Sequence, residues 1–226
     1  MVDRVGRDDR RTRRRLLGAL AGGGAAALGG CLDFVTGEDP ATFEASAATV
    51  AEATLQETKY EHQGTRSDTV TREFEAGGES RSVEVVNRIA EYDRGIDVPG
   101  IGRARAAVFT ALSTPQVEVL GQTFNPVEDM STDDLAAKVQ QRYDRIENLD
   151  RESSRDVALL GETTAATRYA GEARLVDADA TVDVYVTVTE PVESGSDFVL
   201  AFGGYPQVLD EQGSITAMIE GVDHGE

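Results

Sequence analysis

The clearest pattern in the chain is the alternation over residues 180–190. Val182, Val184, Val186 and Val188 fall on one side of an extended backbone, and Thr181, Asp183, Tyr185, Thr187 and Thr189 on the other. Successive strand side chains point to opposite faces, so this spacing predicts a half-buried antiparallel strand. Similar runs recur. Lys59–His62 begin a strand interrupted at Gly64-Thr65, and residues 68–76 put Val70, Arg72 and Phe74 on one face. Ala76-Gly77-Gly78-Glu79 has the composition of a hairpin turn. Residues 81–93 answer it, and the spacing of Val83, Val85, Val86 and Ile89 predicts a bulge or register change at Asn87. Val98–Gly102 reads as a turn, and residues 103–112, Val117–Leu120, Val157–Leu160, Thr163–Leu175 and 197–204 as further strands.

Helical spacing is rarer. Phe43, Ala47, Val50 or Ala51, and Leu55 return at three- and four-residue steps, which predicts a helix over 42–57. A second helix begins after Ser131, where Ser131 and Asp134 form a capping box and Leu135, Val139 and Tyr143 share a face. A third spans 207–221, with Val208 or Leu209, Ile215, Met218 and Ile219 on an apolar stripe and Gly221 at its end. The sum is an α+β fold: an antiparallel sheet of about six to eight strands with helices packed on it, an α/β/α sandwich being one such arrangement. Residues 42–222 read as one domain, since no linker rich in Pro, Gly or Ser divides them.

The first 30 residues break with this pattern. Seven arginines precede an uncharged run of Leu, Ala and Gly over residues 16–30, and Leu28-Gly29-Gly30-Cys31 follows. A basic head, a short apolar stretch and small residues before a cut are the parts of an export signal. The run is too short for a comfortable membrane span of about 20 residues. Arg13-Arg14 resembles the twin-arginine motif, and the segment ending in Cys31 resembles a lipobox. Residues 1–30 are then a signal peptide, and residues 31–41 a lipidated cysteine with a short tether. At ~3.3 Å per residue the tether reaches about 30 Å. This implies a location on the outer face of the cell membrane, held by membrane lipid through Cys31. More than one acyl or isoprenoid chain is expected, since one gives only marginal binding. Cys31 is the sole cysteine, so no internal disulfide and no thiolate metal site can form.

Charge changes the picture next. Residues 1–30 hold seven of the 22 basic and three of the 41 acidic residues, leaving 15 and 38, a net charge of −23. Only Lys59 and Lys138 are lysines. Carboxylates scattered through every segment resemble the proteins of extreme halophiles, in which salt screens the self-repulsion. With no basic patch, nucleic-acid binding is not expected.

Candidate chemistry is sparse. His62 and His224 are the only histidines, and neither has a Cys or second His at ligand spacing, so no metal and no cofactor is expected. Asp177, Asp179 and Asp183 are spaced to point oxygens at one calcium ion, but the segment lacks the glycine and terminal glutamate of an EF-hand loop. A solvated turn is the simpler reading. Glu190 and Glu193 are not distinguished from the other carboxylates. Gly203-Gly204 and Tyr205-Pro206 stand at a strand-to-helix junction, where Tyr205 either plugs the core or lines a groove. No catalytic residue is assigned.

With its signal, lipobox, acidic domain and the ending Tyr205–Gln207 and Glu220–His224, the chain resembles a family of uncharacterised haloarchaeal lipoproteins over residues 11–224. That resemblance implies an exported lipoprotein and lends no activity. The order of elements also resembles the Mog1/PsbP-like sandwich, at fold level alone. The leading expectation is a non-enzymatic, membrane-anchored domain that binds a ligand or an envelope protein or assists envelope assembly. The alternatives are a carboxylate-dependent hydrolase and a small-solute-binding lipoprotein, the latter disfavoured by the 196 residues after the signal.

Overall fold

A computed structural model describes residues 41–225 other than 77–78, 99–101, 120–121, 124–126, 143–145 and 176–179. Its main element is a nine-stranded sheet, antiparallel except at one pairing. β3 (Glu61–Ala76) is one edge and β8 (Ile146–Leu159) the other. Between them run β4 (Glu79–Val98), β5 (Gly102–Pro115), β12 (Asp197–Pro206), β10 (Ala180–Thr189) and β9 (Glu162–Leu175), in that order. The parallel exception is β1 (Ala41–Glu44), which lies along Val83–Val86 of β4. β11 (Val192–Ser194) pairs with the start of β12. The fold is therefore the expected α+β class, with a somewhat larger sheet.

Side-chain alternation divides the core into two layers. On one face, Tyr92 of β4, Phe109 of β5, Leu159 of β8 and Val199 of β12 meet Ile215, Met218 and Ile219 of α3 (Gln212–Glu220). A two-stranded ribbon of β2 (Ala48–Val50) and β13 (Val222–His224), with α1 (Glu52–Thr58), lies on the same side. On the other face, Val184, Val186 and Val188 of β10 and Leu200 of β12 meet Leu135 and Ala136 of α2 (Thr132–Arg142). Helices thus pack against both faces of the sheet.

Several local expectations need correction. The segment 42–57 is not one helix: β1, β2 and α1 divide it. Its three-to-four spacing is equally met by strand residues paired with β4 and β13, where Phe43 packs beside Val83 and Val85. There is no register break at Asn87, which pairs regularly with Asp68. Val86 instead faces away from Val85, and its backbone carbonyl accepts from the Ala45 amide at 3.0 Å at the edge beside β1. The shifts lie between His62 and Gly64 and between Arg94 and Gly95. β10 is not half-exposed throughout: Thr187 and Thr189 are buried too, because the strand is central and α3 covers that side. The last helix starts at Gln212 rather than 207, leaving Val208 exposed. Val222–His224 is a paired strand rather than a loose end.

The capping box is present as read. Ser131 Oγ accepts from the Asp134 amide at 3.2 Å, and Asp134 Oδ2 accepts from the Ser131 amide at 3.1 Å. The hydrogen bonds from Ser131 hold the Asp134 carboxyl below its ordinary pKa. Tyr169 of β9 donates to Asp133 Oδ1 at 2.6 Å, joining α2 to the sheet. Burial, then that carboxylate, pushes the Tyr169 pKa up to about 12.

Candidate functional site

The α2 face of the sheet is only partly covered. α2 packs on β8 and β10, and beside it the β3, β4, β5 and β12 surface forms the floor of a groove of 1220 Å³. Strand register shows how the floor is built. Arg66, Ile89, Leu112 and Leu200 form one row across the four strands. Glu91, Thr110, Phe202 and Val188 form the next. Asp93, Val108, Gly204 and Val186 form a third. Leu112 and Phe202 are half-buried, and Val108 is 38% exposed, so apolar surface is left open to water along the floor. Val117, Val127, Met130, Leu135 and Val139 supply apolar wall on the other side.

The groove's charge contrasts with that of the chain. Five cationic side chains line it: Arg66 and Arg72 of β3, Arg105 of β5, Lys138 of α2 and Arg174 of β9. Three acidic ones do: Asp68, Glu91 and Asp93. Residues 31–226 hold 15 basic and 38 acidic residues, and among the described residues five of those basic ones and three of the acidic ones line this concavity. Two of the cations are held in place. Arg66 Nε lies 3.1 Å from Glu91 Oε1, and Arg105 Nε lies 3.1 Å from the buried Asp93 Oδ2. Arg72 and Lys138 are exposed and make no salt bridge among the described residues.

Tyr205 belongs to the other face. It is 3% exposed within the α3-side core and meets Tyr185 at 5.7 Å between ring centroids. Its neighbours Gly203 and Gly204, not its own ring, border the groove. Arg168 lies over the Tyr185 ring at 4.4 Å and donates to Glu152 Oε2 and Gln212 Oε1 at 2.6 and 2.7 Å. Burial raises the Tyr205 pKa, against the pull of Arg168. Tyr60 and Glu211, the latter paired with Arg94, bury a second polar knot nearby, and burial raises the Tyr60 hydroxyl strongly. The contacts of Arg168, Tyr185, Tyr205 and Arg94 link β4, β8, β9, β10, β12 and the start of α3.

His224 is a buried connector that its sequence context did not reveal. Its Nδ1 is 2.9 Å from Ser194 Oγ, and its Nε2 is 3.0 Å from Asp197 Oδ2 and 3.2 Å from Ser113 Oγ. The Ser46 amide donates to the same Asp197 oxygen at 2.8 Å. The His224 and Asp197 side chains are only 5% and 2% exposed. The arrangement joins β13, β11, β12 and β5 and lies outside the groove lining. His62 stacks on Tyr92 at 4.8 Å.

The remaining sequence candidates do not converge. Asp183 is exposed on β10, opposite Glu172 of β9, while Asp177 and Asp179 lie outside the described residues. Glu190 and Glu193 are exposed. Among the described residues no group of three or more His, Cys, Asp or Glu is placed to hold a metal ion. Arg13, Arg14 and Cys31 lie outside the described residues. Among the described residues no helix is long and apolar enough to cross a membrane.

The model of a family described as a domain of unknown function (DUF6517) matches residues 47–223, and the chain belongs to that family. No curated protein and no solved structure matches it.

Proposed function

Starting from that membership, we propose that the chain is an exported lipoprotein, held on the outer face of the cell membrane through Cys31, whose domain binds an apolar ligand without chemistry. The groove carries this reading. Its volume of 1220 Å³ exceeds the ~300–1,000 Å³ of ordinary small-molecule sites. Its floor leaves Leu112, Val108 and Phe202 open to a ligand, with charged side chains around them. Such apolar surface gains from being covered, at about 25 cal/mol per Å². Two of its three carboxylates, Glu91 and Asp93, each face an arginine at 3.1 Å rather than one another, so they do not form the converging carboxylate pair that the hydrolase alternative needs. The export reading is supported by Arg13-Arg14 and by the only cysteine standing at the end of Leu28-Gly29-Gly30-Cys31. An envelope protein partner remains the second occupant this surface could serve.

The test uses the full chain carrying Cys31→Ser, so that no lipid is attached, with the uncharged dye Nile red as probe. Dye fluorescence rises on binding, and Val108→Trp, which fills the floor from an exposed position, weakens binding about tenfold or more. Absence of binding, or equal binding by the Val108→Trp protein, overturns the groove reading.

A further inference from the structure

We infer that the open edge of β3 is an interface between two copies of this chain, paired antiparallel about a two-fold axis at Val70. This goes beyond the ligand reading above and does not rest on it. Three observations carry it.

The first is the form of the edge. An edge strand presents unpaired N–H and C=O groups, which are a template for another strand. The two long edge strands of this sheet differ. β8 breaks step with β9 between Glu147 and Asp150 and again between Arg151 and Ser153, and Asn148 has a φ of 55°. Irregularities of this kind turn an edge away from a partner. β3 stays in step with β4 from Gly64 to Ala76 without a shift. That stretch contains neither proline nor lysine, two residues that commonly guard an edge. Thr65, Thr69, Val70 and Thr71 give it β-branched residues suited to pairing. α2 and α3 pack towards the β8 end of the sheet, away from β3.

The second is symmetry. Side chains that face one another across paired strands share a face of the sheet, so a two-fold axis normal to it passes through a residue that meets its own copy. The regular run from Gly64 to Ala76 is centred on Val70. Pairing about Val70 therefore uses the whole run, with roughly a dozen backbone hydrogen bonds.

The third is charge complementarity. About Val70, Asp68 meets the partner's Arg72, Arg72 meets the partner's Asp68, and Thr69 meets the partner's Thr71. Opposite charges and β-branched residues placed in this way are favourable cross-strand pairs. Val70 is half-buried in the single chain and gains cover from its copy. An axis through Ser67 would set Arg66 against Asp68. It would also leave Phe74–Ala76 without a facing strand, cross the shift between His62 and Gly64, and use an arginine already 3.1 Å from Glu91. Arg66, Asp68, Val70 and Arg72 all line the groove. An axis normal to the sheet keeps both grooves on one face, so the two floors meet at Val70.

The experiment uses the full chain carrying Cys31→Ser in about 0.5 M salt, which screens repulsion between whole chains to about 4 Å and leaves facing charges their sign. Sedimentation equilibrium is expected to give a dimer. Asp68→Arg and Arg72→Asp are each expected to weaken dimerisation by about tenfold or more, since each sets like charges opposite one another twice. The double variant Asp68→Arg, Arg72→Asp is expected to restore the parent's dimer, and the two single variants, once mixed, to pair with each other. Register is read separately by cross-linking. With Val70→Cys as the only cysteine, a short bis-maleimide is expected to join two chains. With Ser67→Cys it is expected not to, because the two copies of that residue would stand about 20 Å apart along the strands. A monomeric parent at the highest concentration reached, or a dimer indifferent to both charge reversals, overturns the interface. Cross-linking through Ser67→Cys in place of Val70→Cys overturns the axis at Val70. The groove reading is decided by dye binding alone, so it stands if the dimer fails.

Discussion

Gly203 shows how one missing side chain sets the distance between two layers. A Cβ built there would lie 2.7 Å from Ile215 Cδ1 and 2.8 Å from Ile215 Cγ2. Ile215 is fully buried, so it has no open space to move into. β12 and α3 therefore approach at the cost of any larger residue, which explains the glycine on packing grounds without a special turn. Gly203→Ala is expected to destabilise the fold by about 1–3 kcal/mol through overpacking. For a domain near this size the shift in Tm is about 2–4 °C per kcal/mol. Thermal unfolding measures it, and a change within ±0.5 kcal/mol would mean that Ile215 is freer than its burial indicates. Gly204, one residue on, faces the groove, where its Cβ would stand 3.3 Å from Val108 Cγ2. The pair of adjacent glycines thus serves opposite faces of one strand.

At the scale of elements, α2 is the piece that shapes the groove wall, and its cap can be tested. Ser131→Ala removes the oxygen that accepts from the Asp134 amide, and caps of this kind contribute about 1 kcal/mol. The pH dependence has a definite sign. Asp134 has a lowered pKa in the folded chain, so its contribution is complete above the ordinary carboxylate value of about 3.9 and is lost as pH falls through the lowered one. The stability gap between Ser131→Ala and the parent is therefore expected to be full at neutral pH and to shrink in the acid range. Denaturant unfolding at several pH values measures this, and a gap that widens in acid contradicts the reciprocal bond. This helix was readable because its cue is local: Ser131, Asp134 and Leu135 lie within five residues. Central strands were readable for a similar reason, since the valines of β10 sort by face. The first half of β8 was not. Ile146–Asp156 is an edge strand with charge on both sides, and its pairing with β9 leaves no apolar alternation to detect. The end of the chain misled for another reason. His224 is held by Asp197, Ser194 and Ser113, contacts 27, 30 and 111 residues away. No window of sequence contains them. The groove shares that difficulty: Arg72, Leu112 and Lys138 are unremarkable one by one, and only strand order brings them round one space.

For the molecule as a whole, charge and the anchor proposed at Cys31 would work against each other. A chain of net charge −23 after the signal is repelled by an anionic leaflet, and one concave cluster of cations does not reverse that at long range. In concentrated salt the repulsion fades, with a screening length of about 3 Å at 1 M, but so does any long-range attraction. Only contacts made at van der Waals distance keep their strength under those conditions. Membrane retention should then depend on the covalent anchor proposed at Cys31. The parent is expected in the membrane fraction after a wash in high salt, and Cys31→Ser in the soluble fraction. Firm retention of the Cys31→Ser chain would place the anchor somewhere other than Cys31.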